Sequence, residues 1–396
     1  MPEPPSCVAP IVTVSRRGSD RLRQGHVWVY RSDILSAEGI APGAAVGVAD
    51  ERGKFLGTAF YSSASQIAIR ILSRATVSDL EGLLRQRIRD AIAYRERVVQ
   101  DSDAYRVIFS EADFLPGLIV DRYHDLLALQ ILTQAMDAEP TRQIVLSELA
   151  ERLQPEATIE RVEPKIRELE QLPPRSSGLL QGEKTGTLFS MNSVKFHYSS
   201  AEGQKTGAFL DQRENYAAAA KYAHGEALDV FCYQGGFALH LALACSKVTG
   251  VDSSRPALEV AERNATLNSR EIEWIEANAF DLLRDYASAG QQYDTIVLDP
   301  PAFARSRRNL DTALRGYKEL NLRALKMLRP GGVLVTCSCS YHVSVADFMA
   351  VVAEAGRDVH RNLRILENRG QAKDHPILLS VPETAYLKCL IVDVTN

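Results

Sequence analysis

The chain has no long apolar run, no excess of charge of either sign and few cysteines. No stretch approaches the ~18 consecutive apolar residues of a membrane-spanning helix. Lysine and arginine number 46 against 50 aspartates and glutamates. The resulting net charge of −4 excludes a histone-like binder held by bulk charge, but not local basic patches. The six cysteines, at 7, 232, 245, 337, 339 and 389, include no CxxC pair. That excludes a disulfide framework and gives no metal signature. The opening MPEPPSCVAP lacks the basic start and apolar centre of a secretory signal. A reducing, cytoplasmic setting is expected, where a cysteine is core filler or a nucleophile. There is no repeat and no low-complexity segment.

What is present is enough chain and enough apolar residues, 396 and 45%, for two or three globular domains. Residues 1–75 read as short strands (VTVS, HVWVY, AAVGVAD, FLGTAFY, IAIRIL) between turns, a small β-barrel or sandwich. Arg16, Arg17, Arg21, Arg23 and Arg31 cluster there with Trp28 and Tyr30. Such residues suit phosphates and unpaired bases, or simply a solvated basic edge with Trp28 in the core. Residues 76–187 open on an amphipathic helix, LEGLLRQRIRDAIAYRERVV, with arginines on its polar face. Two strands around Pro116-Gly117 and a helix near 139–153 follow, making a small α+β domain. The Pro/Gly/Ser-rich segment 173–187 reads as a linker. Residues 188–396 alternate strands and helices, a doubly wound α/β sheet.

Open sheets of this kind bind ligands at the carboxyl ends of their strands. The first strand there runs into Tyr233-Gln234-Gly235-Gly236-Phe237, and the second ends in Asp252, 17 positions after Gly235. A glycine turn admits a ligand close to the backbone, and an acid at that distance suits ribose hydroxyls. Both fit a nucleoside ligand. The loop is not GxGxxG, which counts against a dinucleotide. The fourth strand ends Asp299-Pro300-Pro301-Ala302-Phe303, a carboxylate and a rigid turn suited to a planar base. The fifth ends Thr336-Cys337-Ser338-Cys339-Ser340. A thiolate there can add to C6 of a pyrimidine and make C5 nucleophilic. Cys232, Cys245 and Cys389 read as core.

Three strings, RLRQGHVWVY, VGVADERGKFLG and SQIAIR, resemble a PUA domain, which implies RNA binding. DPPAF resembles the catalytic motif of class I methyltransferases dependent on S-adenosylmethionine. By that resemblance residues 233–237 hold the methionine part of the cofactor. Asp252 holds the ribose, and Asn278 stands where the adenine amino group is read. TGAFLDQREN, from Thr206 to Asn215, looks like the motif beside the cofactor and contributes Phe209, Gln212 and Arg213. It also reads as an N-capped helix start. TCSCS is similar to the motif of RNA cytosine-5 methyltransferases. Two registers fit it, and the spacing to the following helix favours Cys339 over Cys337. Those enzymes mostly carry a second cysteine after D-x-P, where this chain has Ala302. The sequence therefore assigns no group to remove the C5 proton; Asp299 or a water it orients is a candidate, and the better-supported role of Asp299 is a hydrogen bond to N3 or the amino group of the base.

EADFLPGLIVD, RGYKELN, QAKDHP and PETAYLK extend the resemblance to nearly the whole chain. They match bacterial 23S rRNA cytosine-5 methyltransferases, with 23S rRNA as the implied partner and a homodimer left open. Arg305, Arg307, Arg308, Arg315 and Lys318 after DPPAF would contact phosphates, and Asp374-His375-Pro376 would border the pocket. Rival readings are methylation of uracil C5 or of a ring or exocyclic nitrogen, and an RNA-binding assembly factor without catalysis.

Overall fold

The computed structural model describes residues 10–201, 207–304 and 306–396. Cys7, Thr206 and Arg305 lie outside the described residues. The N-terminal strands form one six-stranded sheet. Its order is Trp28–Tyr30, Ile67–Ser73, Phe55–Tyr61, Ala45–Asp50, Ile11–Val14, Ile34–Ser36. Alternation sends Val12, Val14, Val29, Val46, Val48 and Ile69 into one core. The sequence suggests only strands and turns here, but Arg16–Arg23 is a helix. Ser15 caps it, its hydroxyl accepting from the Gly18 amide. Leu22 is its one large buried apolar residue, too weak a periodicity to show.

In the middle of the chain, helix Leu80–Val98 stands where the periodicity places it, with Leu84, Ile88 and Ala91 in the core. Its arginines are not simply a solvated face. Arg85 and Arg89 reach the buried Glu148 at 3.0 and 2.7 Å. Hydrogen bonds from Arg89, then Arg85 and Arg152, outweigh burial and bring that carboxyl to about 2. Arg95 is itself buried and reaches Asp113 and the Asp374 carbonyl, each at 2.8 Å.

The segment expected as two strands belongs to three: Ala104–Phe109, Leu118–Tyr123 and Leu126–Ile131. The second turn holds only His124 and Asp125, with His124 at φ 52°. Neither is a proline or glycine, so Asp125 is the turn's one weak signal. Nor is 173–187 a plain linker. Gly178–Gln181 pairs with Ala157–Glu160 at the edge of this five-stranded sheet. The hairpin Gly186–Met191 and Val194–Ser199 then shares one core with Tyr123 of the middle sheet and Phe237 of the helix Gly236–Leu241.

The last sheet has seven strands, numbered here within it. They are β1 Glu226–Val230, β2 Lys247–Asp252, β3 Glu273–Glu276, β4 Tyr293–Leu298, β5 Leu328–Ser338, β6 Asn362–Arg369 and β7 Lys388–Thr395. The order is β3-β2-β1-β4-β5-β7-β6. β1 to β5 run parallel, and β7 is antiparallel to both β5 and β6. The order reverses at β1, so ligand-binding loops gather at the carboxyl ends of β1, β2, β4 and β5.

Candidate active site

Four strand ends bring three carboxylates and one thiol to that edge. Asp229 lies in β1, Asp252 ends β2, Asp299 follows β4 and Cys339 follows β5. The turn after β1 is tight. Tyr233 has φ 49° and Gly235 φ 86°, in the left-handed region that glycine adopts without strain. A Cβ on Gly235 would fall 2.9 Å from the Trp274 ring, and one on Gly236 would fall 2.4 Å from Tyr216. The Asp252 carboxylate accepts from the backbone amides of Tyr233 at 2.9 Å and Ser254 at 2.8 Å. It ties the glycine turn to the end of β2.

Asp229 was not singled out in the sequence, although a lone acid inside the apolar run ALDVF was the available signal. One of its oxygens accepts from the Ala238 amide at 2.8 Å. The other is buried without a hydrogen-bond partner. Burial, with Asp299 and Asp252 nearby, pushes its pKa well up. A ligand carrying an ammonium group would satisfy this orphaned acceptor. The chemistry of S-adenosylmethionine therefore fits the cradle.

The string 207–215 supplies the facing wall. The Tyr233 hydroxyl donates to the Gly207 carbonyl at 3.2 Å, and the Phe209 ring stands edge-on to Tyr233 at 5.0 Å. Buried Gln212 hydrogen-bonds Asp299 and accepts from Asn215 at 2.7 Å. Other expected residues have structural work here. Phe237 is buried edge-on against Tyr216. Arg213 is buried and paired with Asp374 at 3.0 Å. Asn278 is exposed and caps the helix Ala279–Ser288, its oxygen accepting from the Phe280 and Asp281 amides.

Asp299 is partly covered at the surface yet densely surrounded. Burial, and then the neighbouring Asp211, raise its pKa to about 7, against the hydrogen bond from Gln212. The two candidate thiols differ sharply. Cys337 is fully buried in the core, while Cys339 is partly exposed. The Cys339 Sγ lies 3.9 Å from the Pro300 carbonyl oxygen, beside the DPP turn. Cys232 and Cys389 are core, as expected. Cys245 is only partly buried and lies past the end of helix Gly236–Leu241.

Sequence reasoning gave no role to Lys388. It pairs across the sheet with Ser338, is buried, and donates to the carbonyls of Ser340 at 2.6 Å and Tyr386 at 2.9 Å. Burial lowers its pKa to about 8, and the nearby Cys339 acts in the opposite direction.

Among the basic residues after DPPAF, Arg307, Arg308 and Arg315 are exposed. Lys318 is instead paired with Asp358 at 2.9 Å and Glu354 at 3.5 Å, which weakens its case as a phosphate ligand. Arg23 pairs with Asp50, and Arg31 bonds the carbonyls of Ser62 and Ser65. Arg16, Arg17 and Arg21 line a groove of about 950 Å³ between their helix and residues 379–383. Beside it a second cavity, of about 660 Å³, lies where the three parts of the chain meet. His375 borders that cavity, whereas Asp374 is buried in its ion pair.

No helix among the described residues is long and apolar enough to cross a membrane. Residues 12–74 match the PUA-like domain, and residues 168–392 match the S-adenosylmethionine-dependent methyltransferase model. A relative from Photobacterium profundum, Ribosomal RNA large subunit methyltransferase I, is 37% identical over 93% of this chain and 95% of its own. The protein of that name from Shewanella denitrificans is 38% identical over 94% and 96%. The structure of SMU.776 complexed with SAH has the same fold, with a TM-score of 0.84 at 18% identity. It covers 97% of this chain and 100% of that one. This chain belongs to the S-adenosylmethionine-dependent methyltransferase family, among the relatives named Ribosomal RNA large subunit methyltransferase I, and its cofactor is S-adenosylmethionine.

Proposed function

We propose that this chain methylates C5 of a cytosine in 23S ribosomal RNA through a covalent adduct with Cys339. The names of the relatives support the RNA. The observation that carries the carbon chemistry is the position of Cys339. It is a partly exposed thiol 3.9 Å from the DPP turn, at a strand end next to the cofactor cradle. Nitrogen methylation has no use for a thiol there.

The bound cofactor supplies an electrophilic methyl group on sulfur. Asp229, Asp252 and the 233–236 turn hold it, with Phe209 and Gln212 facing them. Tyr233, Gly235, Gly236 and Phe237 contribute mainly through their backbone. Asn278 stands at the adenine end, and Arg213 acts only through the ion pair that fixes the facing wall.

The Cys339 thiolate adds to C6 of the base, forming an S–C6 bond. Asp299, whose raised pKa keeps part of it protonated at neutral pH, gives its proton to N3 as electron density moves there. The base is now an enamine, and C5 takes the methyl group from sulfur. The Asp299 carboxylate, or a water it orients, then takes the C5 proton. The S–C6 bond breaks and the thiolate returns. N3 loses its proton to solvent, so one proton leaves per turnover. No second thiol assists, because Ala302 stands where it would be.

In this reading residues 1–75 bind RNA, 76–187 hold the two ends together and 188–396 catalyse. The target base leaves its stack to reach the thiol. The test is nucleoside analysis of 23S rRNA incubated with the protein and labelled cofactor. Labelled 5-methylcytidine is expected. Label in 5-methyluridine or in an N-methylated purine would overturn the assignment.

A further inference from the structure

The cavity of about 660 Å³ has six aromatic walls drawn from all three parts of the chain: Trp28, Tyr30, Phe109, Phe209, Tyr341 and Tyr386. Trp28 and Tyr30 come from the N-terminal sheet and Phe109 from the middle sheet. Phe209, Tyr341 and Tyr386 come from the catalytic part, Tyr341 only two residues after Cys339. Its volume lies in the range of small-ligand pockets. It is not the reaction chamber, because neither Asp299 nor Cys339 lines it.

It does abut that chamber. Asp211 lines it, lies beside Asp299 and accepts from the Tyr386 hydroxyl at 2.6 Å. On the other side it continues into the arginine groove, with which it shares Tyr30 and Glu383. Arg21 sits over the Tyr30 ring at 4.5 Å. Among the described residues no carboxylate pairs with Arg21. Arg307, from the loop after DPPAF, acts electrostatically on Tyr341.

Aromatic faces stack on unpaired bases, and arginines beside them hold the linking phosphates. We propose that this cavity binds an unpaired nucleobase of the RNA strand next to the one that reacts, while Arg21 carries the adjoining backbone, flanked by Arg16 and Arg17 in their pairs with Asp20 and Asp33. Trp28 is a stacking wall whose indole N–H donates to Glu111 at 3.1 Å, which fixes the ring plane. The N-terminal sheet thus builds a subsite beside the active site and does not merely tether RNA. The inference rests on RNA as the substrate, but not on C5 or on Cys339.

The chain has two tryptophans, and Trp274 lies under the cofactor turn. A cytidine decamer is the probe, with an abasic ribose decamer as control. Binding is followed by anisotropy of an end label and by tryptophan fluorescence. The cytidine decamer is expected to bind and quench, and the abasic decamer to bind about ten-fold more weakly without quenching. In Trp28→Phe the quench disappears while most of the affinity remains. In Trp28→Ala the advantage of cytidine over abasic RNA largely vanishes, with cofactor affinity unchanged as the check on folding. Quenching that persists in Trp28→Phe overturns the proposal. So does equal binding of both decamers by the wild type, or failure of either to bind. None of these readings requires methyl transfer, so the C5 assignment can fail while the subsite stands.

Discussion

Cys337 stands opposite Cys389 in the register of β5 and β7, and both side chains are completely buried. Burial, with Cys389 beside it, raises the Cys337 thiol well above its ordinary range. A thiol kept neutral and covered is a poor nucleophile. Cys339, two residues on, is past the strand end and partly exposed. Iodoacetamide on the native protein, read by peptide mass spectrometry, should label Cys339 and leave Cys337 and Cys389 unlabelled until the fold is opened. Cys337→Ser should keep most of its methyl transfer, while Cys339→Ser loses at least 10³-fold, the scale of removing a nucleophile. Labelling of Cys337 ahead of Cys339 would reverse the assignment.

A carboxyl with a folded-state pKa near 7 has two consequences. The folded state binds that proton more tightly than the unfolded state, whose group titrates near 3.8. The stabilising contribution is therefore full below about pH 4, falls as pH rises toward 7, and is gone above it. Asp299→Asn should be more stable than wild type at pH 8, by on the order of 4 kcal/mol at most. The gap should shrink as pH is lowered to 4. Urea titrations at the two pH values check this. The same variant should lose most of its activity, and the wild-type kcat should fall as pH rises through about 7.

The ammonium of Lys388 is held by two carbonyls close to Cys339. A fixed positive charge there favours the thiolate. Lys388→Met should move the midpoint of Cys339 alkylation to higher pH and lower kcat, leaving the KM for cofactor nearly unchanged. Lys388→Arg should restore part of the reactivity. An unchanged midpoint in Lys388→Met would reduce the lysine to a strand-end tie.

Arg213 and Asp374 form a buried ion pair, and Asp374 also accepts from the Arg106 amide at 2.9 Å. Burial alone would raise the Asp374 pKa, but His375, Arg213 and the Arg106 amide together hold it well below the usual range. Such a group stabilises above its unfolded pKa and loses that contribution as pH falls. Arg213→Met should cost about 3–5 kcal/mol at pH 7, because it leaves a buried charge unpaired. Chemical denaturation gives the value. A cost below about 1 kcal/mol would instead leave Arg213 free for a direct cofactor role.

The catalytic sheet was legible because its signals are local. A glycine turn, DPP and TCSCS each end a strand, and the strand ends are where such sheets bind ligands. What stayed hidden was set by distant packing. Arg213 looked like a cofactor ligand because its partner lies 161 positions away. Lys388 has no motif chemistry, and only the pairing of β7 with β5 brings it to the thiol. The His124-Asp125 turn has no glycine or proline, and the edge strand Gly178–Gln181 is four residues inside a Pro/Gly/Ser-rich stretch. The aromatic cavity is assembled from residues 28 to 386, so no window of sequence contains it.

The central claim is the covalent step at Cys339. Its most direct test uses 23S rRNA fragments carrying 5-fluorocytidine in place of cytidine, with S-adenosylmethionine. Fluorine at C5 blocks elimination, so the adduct should persist as a protein–RNA band on a denaturing gel. The account predicts that band with wild type and Cys337→Ala, and none with Cys339→Ala. Methyl transfer to normal rRNA with no such band in any of the three would contradict it.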